Sequence, residues 1–398
     1  MPGDRNTHMK ELELYFHIPF CVRKCLYCDF LSAPAGEDIK QRYMEALLTE
    51  MAGSALAYRD YRVISVFLGG GTPSTVQAGQ IAGLMQEMGK YYSLAGDAEV
   101  TIEVNPGTVT EESLAVFRKA GIGRLSIGLQ SADDRELAAL GRIHSWEQFT
   151  DAFAAARKAG FDNINVDVMG ALPGQTLESC KNTIEKVLSL ADPPEHISAY
   201  SLILEEGTPL YERYREGKLE LPDEDTERIM YQETGRLLAR KGYHRYEISN
   251  YAKEGFECRH NTGYWRRKNY LGFGIGAASM VENVRFKNGA DLDAYLKHPL
   301  ECREEIQRLS RQEQMEEFFF LGLRMTEGVS CGEFRRLFGC GPEEIYGNVI
   351  RKNICDGLLK LTRGRENLPG ESFDDGTWIS LTDRGLDLSN YVMQMFLL

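Results

Sequence analysis

The chain has 398 residues, of which 43% are hydrophobic and 26% charged, and its formal net charge is -13. That length supports one large domain with a smaller one beside it, and an acidic surface repels phosphate backbones, which sets nucleic acid aside as a partner. No apolar run is long enough to span a bilayer and MPGDRNTHMK has no apolar leader segment, so the expected compartment is cytoplasmic.

In chain order, the first strand is expected at Leu12–His17. Directly after it, Cys21, Cys25 and Cys28 fall within eight residues, while Cys180, Cys258, Cys302, Cys331, Cys340 and Cys355 are scattered. Disulfide scaffolds are small and secreted, so a thiolate metal site is the better reading of this cluster. An amphipathic helix follows at Ile39–Leu56, then a strand at Val63–Leu68 that runs into Gly69-Gly70-Gly71-Thr72-Pro73. The next strand, Val100–Val104, carries Glu103 near its end. Helix Glu111–Ala120 leads to strand Arg124–Gly128 with Gln130 behind it. Helix Trp146–Ala159 leads to strand Ile164–Met169 with Asp167 inside it. Helix Leu177–Leu190, strand Ile197–Leu204 with Ser201, and strand Arg245–Ser249 complete the series.

Short β-branched strands alternating with helices of this length imply βαβ units and a parallel sheet. The number of units favours an α/β fold, a partial (β/α)6 TIM-like barrel over residues 1–250. Polar or glycine marks sit at six strand ends, and barrels of this type place their sites at that end. Residues 251–305 read as a loop-rich connecting segment with His260-Asn261-Thr262-Gly263-Tyr264-Trp265. Residues 306–398 read as a small α+β, winged-helix-like domain, with a core helix through RQEQMEEFFFLGLR and a hairpin in Leu368–Leu381.

Soft thiolates spaced Cys–x3–Cys–x2–Cys hold zinc or an iron–sulfur cluster. With no fourth cysteine nearby, a cubane would keep one iron open, whereas zinc would need His17 or a distant cysteine. Gly70 and Gly71 would let a ligand approach the backbone closely. Glu103 and Asp167 can accept from hydroxyls or an ammonium, and Arg142 can pair with a carboxylate in bidentate fashion. Taken singly, the glycines make a turn, the acids make ion pairs and the arginine is a surface residue. His260 is of the type that ligates haem iron, and its aromatic neighbours could stack on a porphyrin. The plainer reading has His260 and Asn261 satisfying backbone groups while Tyr264 and Trp265 fill core.

With Tyr27 before its last cysteine, the triad resembles the radical SAM signature. Tyr15-Phe-His-Ile-Pro-Phe is similar to the branch of oxygen-independent coproporphyrinogen III oxidase. The resemblance implies a 4Fe–4S cluster on Cys21, Cys25 and Cys28 whose open iron chelates S-adenosylmethionine. It places the methionine end at Gly70, Gly71 and Thr72, and the nucleoside and carboxylate at Glu103, Gln130, Arg142 and Asp167, with Tyr15 and Tyr27 as further contacts. In that family an electron then cleaves the sulfonium to a 5′-deoxyadenosyl radical.

HNxxYW is similar to the hallmark of the haem-chaperone (HemW-type) branch, which implies haem as cargo, with His260 its foremost ligand and Cys258 an accessory. The C-terminal region resembles the HemN-type C-terminal domain and is expected to cap the barrel mouth or to help recognise the acceptor. Two departures separate the chain from the oxidase. Phe30 stands where the oxidase has a fourth cysteine, and only fourteen residues precede Tyr15. The expected function is therefore haem delivery, with partners haem, an acceptor haem protein and an electron donor; a homodimer is compatible with it, and the sequence leaves open whether S-adenosylmethionine is cleaved. Coproporphyrinogen III oxidation is the alternative.

Overall fold

The structure is a computed structural model describing residues 9–364, 366–368 and 372–397. Its first strand, β1 (Lys10–Ile18), carries Leu12, Leu14, Phe16 and Ile18 at alternate positions, and all four are fully buried. That period of two is what a sheet requires of a strand with one face in a core. β2 (Tyr61–Gly70), β3 (Ser93–Val104), β4 (Arg124–Gln130), β5 (Ile164–Gly170) and β6 (His196–Ser201) follow, each pairing parallel with the one before it.

Between them run α1 (Glu37–Ser54), α2 (Ala78–Tyr91), α3 (Glu111–Lys119), α4 (Asp134–Ala139), α5 (Trp146–Lys158) and α6 (Leu177–Leu188). Reciprocal capping boxes at Thr110/Ser113, Ser145/Gln148 and Thr176/Ser179 fix where α3, α5 and α6 begin. The six-unit parallel α/β barrel read from the sequence is the architecture of the chain, with an open sheet.

After β6 come α7 (Pro209–Arg215) and α8 (Glu224–Arg240), then two short antiparallel strands, β7 (His244–Arg245) and β8 (Asn250–Ala252). The strand expected at Arg245–Ser249 is therefore broken. The carboxylate of buried Glu247 accepts from Ser249 N at 2.7 Å and Asn250 Nδ2 at 2.6 Å, folding the chain back on itself.

Residues 251–305 are more regular than their glycines suggested. They form α9 (Arg259–Trp265), then β9 (Tyr270–Phe273) parallel to β1, then antiparallel β10 (Ala278–Val281) and β11 (Val284–Asn288), with α10 (Leu292–Lys297) before β12 (Arg303–Arg308). The sheet thus runs β12-β11-β10-β9-β1-β2-β3-β4-β5-β6-β8-β7.

The C-terminal unit has the element order of a winged helix: α11 (Arg311–Gly322), β13 (Val329–Ser330), α12 (Cys331–Phe338), α13 (Pro342–Cys355), β14 (Leu359–Arg363), β15 (Glu366–Asn367) and β16 (Trp378–Leu381). β16 pairs with β14, so the hairpin expected within Leu368–Leu381 begins earlier; residues 369–371 of that span lie outside the described residues. Phe319 of α11 is fully buried and stacks on Phe396 at 4.3 Å, which bears out the core role of the aromatic run.

This unit packs on α9 and on the β10–β11 edge. Glu317 pairs with Arg267 and Arg285, Glu327 pairs with Arg266, and Arg324 lies 4.2 Å from the Trp265 ring centroid. It does not cap the barrel mouth, since among the described residues none beyond Tyr264 lines the main cavity. No helix among the described residues is long and apolar enough to cross a membrane.

Candidate functional site

A cavity of about 440 Å³ opens at the carboxyl ends of β1–β6. Thirteen residues singled out from the sequence line it: Tyr15, Cys21, Cys25, Tyr27, Cys28, Gly70, Gly71, Thr72, Glu103, Gln130, Arg142, Asp167 and His260; Ser201, Cys258 and Trp265 do not. Their separation in sequence is large, so this convergence is a property of the fold.

The cysteine loop follows β1 and is fastened on both sides. Cys21 N donates to Ala33 O at 3.2 Å and Leu26 N to Leu140 O at 3.0 Å. All three thiols are free and partly exposed. The Arg142 guanidinium lies 3.7 Å from Cys25 Sγ, and Thr72 Oγ1 lies 3.5 Å from Cys21 Sγ. Burial raises the Cys28 thiol, with nearby Lys24 opposing the shift.

The zinc alternative fares poorly. His17, its suggested fourth ligand, has both ring nitrogens engaged, with Tyr15 OH at 3.0 Å and Leu31 O at 2.8 Å. Among the described residues, no three acidic, histidine or cysteine side chains converge tightly enough to hold a single ion.

The glycines at the end of β2 line the cavity and have a further reason within the fold. At Gly70 (φ +107°) a Cβ would run into the His17 ring. At Gly71 it would sit 2.7 Å from Phe20 O and 2.9 Å from Ile18 O. The close approach is that of the chain's own cysteine-bearing loop, which these glycines let settle against β2. Gly71→Ala is expected to cost about 1–3 kcal/mol by overpacking against backbone that cannot yield, read as a lower urea midpoint at unchanged m-value.

Two carboxylates face each other across the cavity. Glu103 Oε2 accepts from Gly70 N at 3.1 Å, and Asp167 Oδ1 accepts from Asn165 Nδ2 at 2.7 Å. Burial, then the charge of Asp167, pushes Glu103 up to about 8, and burial raises Asp167 as well. The charge of Arg124 opposes both shifts, and that of Arg142 opposes the shift of Asp167, but burial outweighs them, so a cationic ligand brought against the pair would favour the ionised form.

Gln130 closes β4 in the left-handed region at φ 72°, where the register to β5 shifts. Its Oε1 is buried without a partner, as is Nε of Arg142. Both atoms are left to a ligand or to water, and the bulge aims Gln130 into the cavity. Arg142 Nη2 donates to Gly128 O and to Asn105 Oδ1 at 2.7 Å, and Asn105 Nδ2 donates to Thr72 Oγ1 at 2.8 Å. Asn105 therefore ties together the residues that flank Cys21 and Cys25. Burial raises the phenols of Tyr15 and Tyr27 and keeps both neutral.

α9 forms the floor. Its first amides, Arg259 N and His260 N, donate to Glu99 at 3.1 and 3.2 Å. His260 is 1% exposed. Its Nδ1 pairs with Ser65 Oγ at 2.8 Å, its Nε2 with Tyr264 OH at 3.0 Å, and its ring stacks on Phe67. Burial holds it neutral, with a pKa lowered to about 3. The direct haem ligand expected here has no free nitrogen in this arrangement, because Ser65 of β2 takes one and Tyr264 of α9 the other. Cys258 is fully buried against Glu99, and Trp265 points away from the cavity, beneath Arg324.

Arg124 was overlooked in the sequence, where it reads as an ordinary strand start. It is a buried cation at the cavity floor whose Nε has no partner. A charged residue opening a strand that is otherwise uncharged and buried throughout is the signal that could have found it.

Comparison with known proteins agrees with this geometry. The Radical SAM superfamily model matches residues 15–187 and the HemN C-terminal domain model matches residues 309–369. The "Heme chaperone HemW" of Lactococcus lactis is 37% identical, covering 96% of this chain and 97% of that protein. The protein of the same description from Escherichia coli K12 is 32% identical over 97% of this chain and 98% of its own length. The mitochondrial "Radical S-adenosyl methionine domain-containing protein 1" of Danio rerio is 35% identical over 96% of this chain and 84% of its own. Among solved structures, coproporphyrinogen III oxidase (HemN) of Escherichia coli superposes with a TM-score of 0.83 at 22% identity, covering 98% and 90% of the two chains.

Proposed function

Since the chain belongs to the radical SAM superfamily, and within it to the family of the HemW haem chaperones, we propose that it holds a 4Fe–4S cluster and S-adenosylmethionine and passes haem to an acceptor haem protein. The observation that carries this reading is one cavity in which three free thiols from a single loop face two desolvated carboxylates. Soft donors suit iron, and buried anions suit a sulfonium and its ammonium.

Cys21, Cys25 and Cys28 would hold the cluster. When bound, it supplies one-electron reducing power at an iron that the protein leaves open. The remaining work belongs to the chain's own side chains. Glu103 and Asp167 balance positive charge, Gln130 Oε1 and Arg142 Nε offer hydrogen-bonding groups not yet used, and Tyr15 and Tyr27 wall the cavity. His260 enters as the support of the floor.

Anaerobic haem titration of the reconstituted protein tests the delivery reading, and absence of a Soret shift and of a stable complex would sink it. His260→Ala is expected to lower the melting temperature and to leave haem affinity within about threefold. A tenfold loss of haem affinity in a protein that still folds would return His260 to direct ligation. The coproporphyrinogen reading draws on the shared fold, the Tyr15–Phe20 motif and the HemN-type C-terminal domain, and Phe30 at the oxidase's fourth-cysteine position speaks against it.

A further inference from the structure

The rim of the cavity carries a set of side chains that the cluster and S-adenosylmethionine leave unused. Phe30 is 64% exposed, an unusual state for so large an apolar ring, and it lines the cavity with Arg23 and Lys24. Val22, Leu31 and Ile143 are exposed as well. Lys24 Nζ donates to the backbone carbonyl of Phe30 at 2.9 Å. Arg23 Nη2 donates to Gly141 O at 2.7 Å. Among the described residues both cations thus meet only backbone carbonyls, and neither has a carboxylate partner. Asp29 sits between Cys28 and Phe30 in sequence but does not line the cavity.

From this we infer that the cavity mouth is the haem dock, with the macrocycle face on Phe30 and the two propionates on Arg23 and Lys24. The inference rests on the haem-delivery reading and adds to it the place and polarity of the cargo. A planar apolar ring with two carboxylates on one edge matches an exposed aromatic flanked by two adjacent unpaired cations. The cavity of about 440 Å³ also has to take the cluster and its ligand, so haem is left the rim, where an acceptor can reach it.

A second cavity of about 550 Å³, between α9 and the C-terminal unit, offers Met280, Met325, Phe338 and Trp378. Its cations are already matched, however: Arg266 with Glu327, Arg267 with Glu317 and Lys268 with Glu11. Propionates would have to displace those carboxylates, which makes the rim the better anion site.

The test is an anaerobic absorbance titration of full-length reconstituted protein, with S-adenosylmethionine present, using haem b and its dimethyl ester. Wild type should bind the ester roughly 10–100-fold more weakly than haem, about tenfold for each charge-assisted hydrogen bond that esterification removes. Arg23→Ser with Lys24→Ser should bind haem as weakly as wild type binds the ester, with no further loss on esterification. Phe30→Ala should weaken both ligands alike, and Arg266→Ser with Lys268→Ser should stay within twofold of wild type. Equal binding of haem and ester by wild type overturns the dock, as does a loss confined to the Arg266/Lys268 variant. A rim variant that binds haem normally but no longer accepts electrons from an acidic reductase protein also overturns it, by assigning the rim to that partner. The ester arm uses unaltered protein, so a folding or cluster defect in a variant cannot mask the answer. Failure of wild type to bind haem at all would instead sink the delivery reading itself.

Discussion

Replacing any one of Cys21, Cys25 or Cys28 by alanine is expected to bring bound iron after anaerobic reconstitution from about four per chain to below one. The brown absorption should disappear with it. A cluster with one iron already free of protein has three thiolate anchors, and a two-thiolate remnant with a second open iron is labile. The fold should survive, because the loop is held by its backbone: Ala33 N donates to Pro19 O at 2.9 Å and Thr72 N to Phe20 O at 2.7 Å, with no thiol involved. Circular dichroism and iron analysis on the same sample separate the two effects. Cys302→Ala is the matched control, since Cys302 Sγ donates to Pro299 O at 3.1 Å, away from the site, and iron should stay at the wild-type level. One zinc per chain with no iron, or iron unchanged in all three variants, would overturn the cluster assignment.

How far the sequence carried depends on what kind of physics each element obeys. The six parallel strands were legible because each contains an apolar run and is followed by an amphipathic helix, three of them with capping boxes at Thr110, Ser145 and Thr176, so local pattern and tertiary role agree. The cavity was legible for a related reason: glycine, glutamate, glutamine and aspartate at successive strand ends have no core to fill. β9–β12 were not legible. The run Gly272-Phe273-Gly274-Ile275-Gly276 looks like a loop, yet Gly272 and Gly274 are close-approach sites against Ala278 O and His17 O within the sheet. Glycine marks tight backbone contact and flexible loop alike, and only long-range pairing tells them apart.

The same ambiguity governs His260. Its type and its aromatic neighbours suit haem, but the partners that claim both nitrogens differ in kind. Tyr264 is one helical turn away, within reach of sequence reasoning, whereas Ser65 lies on a strand nearly two hundred residues earlier. The docking side of the C-terminal unit was hidden likewise, because it is set by charge pairs such as Arg267 with Glu317 that join distant segments.

Glu103→Gln is expected to weaken S-adenosylmethionine binding by about one to two orders of magnitude, the usual consequence of removing one partner from a desolvated charge pair. The pH dependence gives a second, independent signature. In the ligand-free chain burial and Asp167 hold Glu103 near 8, above the ordinary 4.5. The folded state therefore binds the proton more tightly than the unfolded one. The stability this contributes is complete below about pH 4.5 and is lost as pH rises through about 8. A cationic ligand reverses the preference by stabilising the carboxylate, so binding expels the proton. Affinity should accordingly rise with pH by up to about tenfold per unit below the shifted pKa and level off above it. Melting curves at pH 6.5 and 9, with and without S-adenosylmethionine, should show little ligand-induced stabilisation at the lower pH and a clear shift at the higher. Glu103→Gln should flatten much of that dependence, leaving the part due to Asp167, whose carboxyl is raised by burial in the same cavity. Affinity that is flat in pH for wild type, or that falls as pH rises, would mean the carboxylates do not face the ligand's positive charge.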